Sequence, residues 1–327
     1  FPDLLQLLDE QQQEAALRRS RLSLASTPLS IGIMGQVKAG KSSLLNSLLF
    51  GGLSLLPEAA TPKTANLTRI RYAAQPSFTA HFYRPDEWAQ IEHLATLAGD
   101  APNLQAAREL VAAVRSAGLD VAPLLAQGHI SLSAPDLKGL LGQLNDYVGT
   151  DGRLSALVSH TELALAHEQL QGIEIVDTPG MNDPVHSRTD KTRQYMAQCD
   201  VVFFLSRASQ FFDASDQALM ALQLPQKGIK RLLLVASQSD LFLSEDQSPS
   251  PNLRASRQHL IAQISRRIKT LVHNLAEQRR RCGLEHTADL LQQMGAPVFI
   301  SAHAWVIAHL PPTAWSPNVR HIEHELR

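Results

Sequence analysis

The sequence contains few cysteines, few aromatic residues and almost no net charge. Cys199 and Cys282 are the two cysteines among 327 residues, which excludes a disulfide scaffold and a four-cysteine zinc site and fits a reducing compartment. Aromatic residues make up 5%, too few for a broad base-stacking surface. With 30 Lys and Arg against 31 Asp and Glu, the net charge is −1, so we expect no nucleic-acid partner bound through bulk positive charge.

Long apolar runs are also absent from the sequence. None reaches the roughly 18–20 residues that cross a bilayer, and the N-terminus lacks the pattern of a signal peptide. Apolar residues still make up 44%, close to the usual share of about 45–50%, so a sizeable core is available. Because the sequence begins at Phe1 without Met and ends at Arg327 in a polar, helix-like stretch, we expect it to be a fragment of a longer chain.

Short apolar runs alternate with helical patterns along most of the chain. This alternation predicts an α/β fold with a mostly parallel sheet that helices cover on both faces. The predicted strands are 29–34, 67–72, 78–83, 173–176, 201–205, 231–236 and 297–300, and the predicted helices include 188–198, 213–223 and 252–281. Since only residues 73–76 separate the second strand from the third, we expect these two strands to form a hairpin.

Two regions lie outside this alternation. Residues 3–24 have a partial apolar face of helical period, which predicts a separate N-terminal unit over residues 1–28. This helix either packs on its own domain or belongs to a helical bundle whose partners lie outside this sequence. In the remaining domain, 29–327, residues 84–167 form a mainly helical insertion. Its predicted elements are helices at 86–98, 102–117 and 136–147 and a strand near 157–166.

The segment Gly35-Gln-Val-Lys-Ala-Gly-Lys-Ser42 matches the phosphate-loop pattern G-x-x-x-x-G-K-[ST] in full and lies between a predicted strand and a predicted helix. Gly35 and Gly40 let the backbone curl so that several amide groups point at one centre. We expect Lys41 to reach the β- and γ-phosphates and the Ser42 hydroxyl to bind Mg²⁺. We assign nucleotide contacts to Gly35, Gln36, Lys38, Ala39, Gly40, Lys41, Ser42 and Ser43.

Lys38 is an unusual residue within this loop. Its position lies near the bridge between the phosphates, where a cation can neutralise charge that develops on the leaving group. The alternative is a solvated lysine on the rim of the loop. The sequence alone leaves both interpretations open.

A second phosphate motif, Asp177-Thr-Pro-Gly180, directly follows the predicted strand 173–176. An acid at a strand end can bind Mg²⁺, and Gly180 can offer its amide to a γ-phosphate. Downstream of a phosphate loop, this motif indicates a switch-type GTPase rather than a generic ATPase or kinase.

The segment Ser237-Gln-Ser-Asp240 ends the predicted strand 231–236 and resembles the guanine-binding motif [NT]-K-x-D. Asp240 would accept two hydrogen bonds from guanine, a pair that adenine cannot donate. Ser237 replaces the usual Asn or Thr and Gln238 the usual Lys, although the stem of Gln238 can still cover the base plane. The alternative role for Asp240 is a helix cap or loop carboxylate.

Two further positions complete the expected site. Ser301 and Ala302 follow the last predicted strand and resemble the motif whose backbone contacts the guanine oxygen. The loop before residue 67 should supply a threonine that completes the Mg²⁺ ligands. We favour Thr64 over Thr61, because Thr68 should already lie in the strand.

Together with the pattern from Leu56 to Tyr72, these motifs resemble the dynamin superfamily, particularly bacterial dynamin-like proteins. The resemblance covers about residues 29–305, and the helix 3–24 looks like the neck or bundle helix before such a domain. It implies a P-loop GTPase domain that binds GTP or GDP with Mg²⁺, hydrolyses GTP and forms a homodimer through that domain. It also implies membrane remodelling, with lipid contacts outside this sequence and a location that is cytoplasmic or peripheral to a membrane.

The resemblance also bears on how water is activated. Met181 stands where small GTPases carry a catalytic glutamine, so backbone groups, Thr64 or a bound cation must position the water. Dynamins use a loop serine with a monovalent cation, and Lys38 falls at the position of that serine. We therefore expect Lys38, Lys41 and Thr64 to be the catalytic groups.

Two other functions fit parts of the sequence. One is a ribosome- or RNA-associated GTPase, which the neutral charge and low aromatic content disfavour. The other is an assembly module that binds GTP without hydrolysing it, which Met181 and Gln238 leave open.

Overall fold

The structure, a computed structural model, describes residues 28–52, 56, 67–144, 146–148, 152–178, 192–225, 228–240 and 253–309. The strands are β1 (Leu29–Gly35), β2 (Leu67–Tyr72), β3 (Ser77–Phe82), β4 (His129–Ser133), β5 (Val158–Leu165), β6 (Ile173–Asp177), β7 (Val201–Arg207), β8 (Arg231–Ser237) and β9 (Val298–Phe299). The longer helices are α1 (Lys41–Phe50), α2 (Pro85–Thr96), α3 (Pro102–Ser116), α4 (Val121–Gln127), α5 (Leu137–Leu144), α6 (Ala214–Gln223), α7 (Leu253–Arg281), α8 (Glu285–Gln292) and α9 (Ala302–His309).

The described strands form one sheet in the order β4-β3-β5-β2-β6-β1-β7-β8-β9. From β6 to β9 every neighbouring pair is parallel. The other half is mixed, because β2 runs antiparallel to β6 and parallel to β5, and β3 runs antiparallel to both of its neighbours. The predicted α/β class with a mostly parallel sheet is therefore confirmed, with a mixed extension on one side.

Alternate side chains of the strands enter two separate cores, one on each face of the sheet. On β1, Ile33 packs with the core beneath α1 to α5, whereas the next residue, Met34, packs with the core beneath α6, α7 and α8. Helices thus cover both faces, as predicted. No helix in the described part of the chain combines the length and apolar character that crossing a bilayer requires.

The predicted hairpin of β2 and β3 is wrong, because β5 lies between these two strands. Leu163 of β5 is paired with Ile70 on one side and with Phe78 on the other. Val158, Leu163 and Leu165 are buried, which is typical of an interior strand of a sheet whose faces are covered. The connection at 73–76 therefore passes over one intervening strand.

The insertion at 84–167 is mainly helical, as expected, but it also supplies strands to the sheet. The predicted helices correspond to α2, α3 and α5, and the predicted strand near 157–166 is β5. Helix α4 and the edge strand β4 were not predicted. The helix predicted at 3–24, and with it the unit 1–28, lies almost wholly outside the described residues.

Candidate nucleotide-binding site

The phosphate loop leaves the end of β1 at Gly35, which is paired with Leu205 of β7. A Cβ atom on Gly35 would lie 2.4 Å from the carbonyl oxygen of Leu205, so only glycine fits there. Gly40 has a φ of 84°, and Lys38 has a φ of 63°, both in the region that non-glycine residues rarely adopt. The loop therefore makes the sharp curl that the sequence predicted before α1 begins at Lys41.

Lys41 lies at the centre of this curl. The residue is 8% exposed, and its Nζ donates hydrogen bonds to the carbonyl oxygens of Gly35 at 2.9 Å and Gln36 at 3.0 Å. Burial lowers the pKa of Lys41, and the negative charge of Asp177 partly offsets that effect. The lysine is thus fixed with its ammonium group inside the loop.

The backbone around Lys41 presents a group of amide donors. The amides of Lys38, Gly40, Lys41 and Ser42 have no backbone acceptor within the described part of the chain. The last two belong to the first turn of α1, where the helix dipole adds partial positive charge. Such a cluster of donors at a helix N-terminus binds anions, and phosphate in particular.

Asp177 ends β6 beside β1, where it is paired with Ile33. The residue is 7% exposed, and its carboxylate Oδ1 accepts no hydrogen bond from the described residues. Burial raises the pKa of Asp177 to about 6, although the charge of Lys41 opposes this shift. The next residue, Thr178, donates its hydroxyl to the Ile33 carbonyl at 2.7 Å, which fixes the start of the second phosphate motif.

The residues at this point fit Mg²⁺ carried with a nucleotide. A buried carboxylate oxygen without a hydrogen-bond donor and the half-buried hydroxyl of Ser42 supply the oxygen ligands that this ion prefers. Among the described residues no cluster of three or more His, Cys, Asp or Glu is suited to a metal ion. Nucleotide phosphates commonly provide the remaining ligands in sites of this kind.

The unusual base motif remains attached to the phosphate loop. Ser237 donates its hydroxyl to the Ala39 carbonyl at 2.7 Å and also contacts the Ser206 carbonyl at 3.1 Å. Gln238 donates its side-chain amide to the Lys38 carbonyl at 2.9 Å. Ser237 and Gln238 differ from the residues usual in this motif, yet the side chain of each donates a hydrogen bond to a carbonyl of the phosphate loop.

The carboxylate of Asp240 lies two residues beyond Gln238 and makes no hydrogen bond or ion pair with the described residues. Ser239 donates both its amide, at 3.2 Å, and its hydroxyl, at 3.0 Å, to the Ile300 carbonyl. This double contact joins the base motif to the segment at Ser301. The Ser301 hydroxyl accepts the Ala304 amide at 2.9 Å, which caps α9. The Ala302 carbonyl accepts the Ser47 hydroxyl of α1 at 3.3 Å.

One contact of the phosphate loop was not predicted from the sequence. Gln36 donates its side-chain amide to Asp213 Oδ1 at 3.0 Å, and the same oxygen accepts the Asp216 amide in the N-cap of α6. The D-x-x-D pattern signals the cap, but nothing local signals the partner 177 residues away. Asp213 thus joins the phosphate loop to the start of α6.

Several predicted site residues lie outside the described residues. They are Thr61, Thr64, Gly180 and Met181. Thr68 is described and lies in β2, as expected, where its hydroxyl is 2.9 Å from that of Thr161. Lys38 is exposed on the rim of the loop, a position that both of its interpretations allow.

Comparison with known proteins decides the family. The sequence model of the Dynamin family matches residues 31–238 of this chain. The chain belongs to the dynamin family. The match begins in β1 and ends in the base motif, so it spans the phosphate loop, the second phosphate motif and the insertion. Dynamin membership disfavours the RNA-associated alternative.

Bacterial members of the dynamin family are similar to this chain. Dynamin-like protein 1 of Campylobacter jejuni is 27% identical over 250 residues, which cover 75% of this chain and 32% of that protein. The bacterial dynamin-like protein of Nostoc punctiforme is 26% identical over 219 residues, covering 65% of this chain and 26% of that protein. The chain therefore spans about a third or less of the length of these relatives.

One solved structure has the same fold as this chain. It is described as an oligomerised bacterial dynamin pair that provides a mechanism for the long-range sensing and tethering of membranes. It superposes with a TM-score of 0.57 at 22% identity, covering 98% of this chain and 40% of that chain. This likeness confirms the predicted P-loop GTPase fold.

The buried carboxyl of Asp177 generates a prediction about stability. Its pKa of about 6 in the folded chain exceeds the ordinary value of 3.8, so the folded chain binds this proton more tightly than the unfolded chain. Its contribution is fully present below about pH 4 and is lost as the pH rises through about 6. The free energy of unfolding without nucleotide should fall over that range by an amount on the order of 3 kcal/mol.

Urea unfolding at a series of pH values measures this effect. Asp177→Asn should lack this part of the pH dependence, whereas Glu92→Gln, a change at an exposed acid of α2, should keep the wild-type profile. Superimposable profiles for the wild type and Asp177→Asn would contradict the assignment.

Proposed function

We propose that this chain contains the GTP-binding and GTP-hydrolysing domain of a bacterial dynamin-like protein. The observation that carries the proposal is the meeting of three features at one edge of the sheet. These are the amide cluster around Lys41, the buried carboxylate of Asp177 and the base motif held against the loop by Ser237. Membership of the dynamin family supports the same conclusion.

The triphosphate would lie over the phosphate loop. The free amides of Lys38, Gly40 and Lys41 would donate to its oxygens, and the Lys41 ammonium would exchange its loop carbonyls for the β- and γ-phosphates. Gly180 would add an amide to the γ-phosphate. Ser42, Asp177 and Thr64 would hold Mg²⁺, which when bound supplies positive charge to the phosphate oxygens.

The base would lie between the segments that follow β8 and β9. Asp240 would accept two hydrogen bonds from guanine, which selects against adenine because adenine would leave this half-buried acceptor unpaired. The contact between Ser239 and the Ile300 carbonyl supports a common position for this carboxylate and the backbone of Ser301 and Ala302. The stem of Gln238 would cover one face of the base.

Hydrolysis would proceed by in-line attack of water on the γ-phosphorus. The bond from that phosphorus to the bridging oxygen breaks, and GDP and phosphate leave. Because Met181 cannot orient water, this task falls to Thr64 and backbone groups. The exposed ammonium of Lys38 would neutralise the charge that grows on the bridging oxygen, in place of a monovalent cation.

We further propose that two copies associate through this domain and that association raises the rate of hydrolysis. The related bacterial structure is described as an oligomerised pair that tethers membranes. That description supports self-association and a role at a membrane. The proposed location of the chain is cytoplasmic or peripheral to a membrane.

Asp240 should decide which nucleotide binds. Asp240→Ala should weaken GTP binding by roughly 10- to 100-fold, because two hydrogen bonds to a charged acceptor are lost, and should leave ATP binding unchanged. Isothermal titration calorimetry with both nucleotides measures this. Ser237→Ala is the matched control, since it frees the Ala39 carbonyl and should weaken both nucleotides alike. An unchanged GTP-to-ATP ratio in Asp240→Ala would rule out the role of base reader.

Lys38 should act on the chemical step more than on binding. Lys38→Ala should slow turnover on the order of 10- to 100-fold with a much smaller change in GTP affinity, because its charge is needed mainly when the bond breaks. Lys138→Ala, at an exposed lysine of α5, should change neither. Equal losses of turnover and affinity in Lys38→Ala would show that the lysine only binds.

Release of phosphate at several protein concentrations tests the proposal as a whole. The rate per molecule should rise with concentration in the presence of GTP and Mg²⁺, and Lys41→Ala should abolish it because the γ-phosphate loses its main cation. A measurable rate that is independent of concentration would disprove stimulation by association. Binding of GTP without phosphate release would identify a non-hydrolysing assembly module.

A further inference from the structure

Asp213 makes a contact that the N-cap of a helix does not require. Its Oδ1 accepts the Asp216 amide at 2.9 Å, which is sufficient to cap α6. The same oxygen also accepts the side-chain amide of Gln36 at 3.0 Å. Because Gln36 is the second residue of the phosphate loop, this additional contact joins α6 to the loop, and the need for a helix cap does not explain it.

The backbone just before Asp213 is strained, and its neighbours maintain the strain. Phe212 has a φ of 55°, which residues other than glycine rarely adopt. Its amide donates to the Ser206 hydroxyl at 2.8 Å, and its carbonyl accepts the Gln217 side-chain amide at 3.2 Å. Phe212 is also fully buried, with its ring edge-on to that of Phe204. Strain that the surrounding structure fixes in this way is common at functional sites, and here it sets the direction in which Asp213 leaves the turn.

A second carboxylate lies close to the Gln36 amide. Asp216 is 2% exposed, and its Oδ2 accepts the Ser206 hydroxyl at 2.6 Å. Burial raises the pKa of Asp216, and hydrogen bonds from Ser206 and Gln36 oppose that shift. Gln36 is therefore a neutral donor beside two acids, and an acidic side chain at its position would face acceptors without a proton to donate.

The contact with Asp213 anchors the phosphate loop on one side of Lys38. Gln36 is bound to Asp213 by its side chain, and its carbonyl accepts the Ala39 amide at 3.1 Å. On the other side of Lys38, the Ala39 carbonyl accepts the Ser237 hydroxyl at 2.7 Å. Lys38 therefore lies between two anchored residues, one joined to α6 and the other to β8.

Nucleotide binding would make the anchor at Gln36 more important. Without nucleotide, the Lys41 ammonium also donates to the Gln36 carbonyl, at 3.0 Å. In the GTPase function proposed above, Lys41 exchanges this carbonyl for phosphate oxygens. Gln36 then retains its hydrogen bonds with Ala39 and Asp213, and of these two the second alone reaches outside the loop.

We propose that Asp213 is a positioning residue for GTP hydrolysis, a role that rests on the proposed function. Through Gln36 it holds the first half of the phosphate loop, and so keeps the Lys38 ammonium beside the bridging oxygen while the bond to the γ-phosphorus breaks. The amides of Gly40 and Lys41 belong to the other half of the loop and to α1, so GTP binding depends less on this contact. A displacement of about 1 Å at a reacting centre lowers a rate on the order of 100-fold.

Two substitutions remove the contact and preserve the cap of α6. Gln36→Ala removes the donor, and Asp213→Ser keeps a capping hydroxyl that is one bond shorter and loses its reach to the loop. Each should lower kcat on the order of 10-fold, with the Kd of a non-hydrolysable GTP analogue changed by less than about threefold. Gln90→Ala, at an exposed glutamine of α2, is the matched control and should change neither. Thermal unfolding reports whether each variant is folded.

Double variants test whether the two residues act as a pair and through Lys38. Gln36→Ala combined with Asp213→Ser should lose no more turnover than either change alone, because both changes remove the same contact. In a Lys38→Ala background, Gln36→Ala should cause no further loss of kcat, because the group that it positions is already absent. A merely structural defect would instead add to the loss caused by Lys38→Ala.

An exchange of donor and acceptor provides a rescue. Gln36→Glu should lower kcat more than Gln36→Ala does, because it opposes the carboxylate of Asp213. Adding Asp213→Asn should restore most of the rate, since the asparagine amide can donate to the glutamate while its oxygen still caps α6. The rescue keeps the test decisive if a single variant folds poorly, because a restored kcat requires a folded chain with the pair in contact.

The proposal stands if the single variants lose kcat while keeping GTP affinity, if their losses do not add, and if the exchange restores turnover. It is overturned if either single variant turns over GTP as the wild type does, or if affinity falls as far as kcat. It is also overturned if Gln36→Ala still slows the Lys38→Ala variant, or if the exchange restores nothing. A wild-type chain that binds GTP and releases no phosphate would refute the proposed hydrolysis as well, whereas an active wild type with unaffected variants overturns the role of Asp213 alone.

Discussion

A buried ammonium group sets the geometry of this domain. The buried ammonium group of Lys41 donates hydrogen bonds to the carbonyls of Gly35 and Gln36, and the nearby charge of Asp177 also stabilises it inside the fold. The phosphate loop curls around this ammonium group, and the curl turns the amides of the first turn of α1 toward a common centre. The close approach of Leu205 then limits the first position of the loop to glycine. The same loop conformation that provides hydrogen-bond acceptors for the Lys41 ammonium therefore also forms the amide cluster suited to a polyphosphate.

The base motif contacts the phosphate loop although two of its residues differ from the usual types. Asn or Thr is normally expected where Ser237 stands, yet the serine hydroxyl reaches the Ala39 carbonyl at 2.7 Å. Gln238 likewise reaches the Lys38 carbonyl, although a lysine is usual there. Both contacts connect β8 to the phosphate loop. The residue types of this segment match the guanine-binding motif poorly. Its hydrogen bonds nevertheless hold it against the phosphate loop, where that motif is expected.

Local patterns predicted the parts of the fold that local physics determines. The phosphate loop, the strand before it, the helix after it and Asp177 at the end of β6 were predicted from glycine spacing and apolar runs. The position of β5 between β2 and β3 was missed, because strand order depends on pairings such as Leu163 with both Ile70 and Phe78. The contact between Gln36 and Asp213 was missed for the same reason.

The place of β5 in the sheet has a consequence for how the chain is made. Strands β2 and β3 emerge early in synthesis, but β5, the strand that lies between them, comes at the end of the insertion, after its helices. Their pairing must await residues about 90 positions downstream, and long loop closures of this kind slow folding. Until β5 is inserted, each of these strands presents an unpaired edge to other newly made chains, which favours aggregation at this stage.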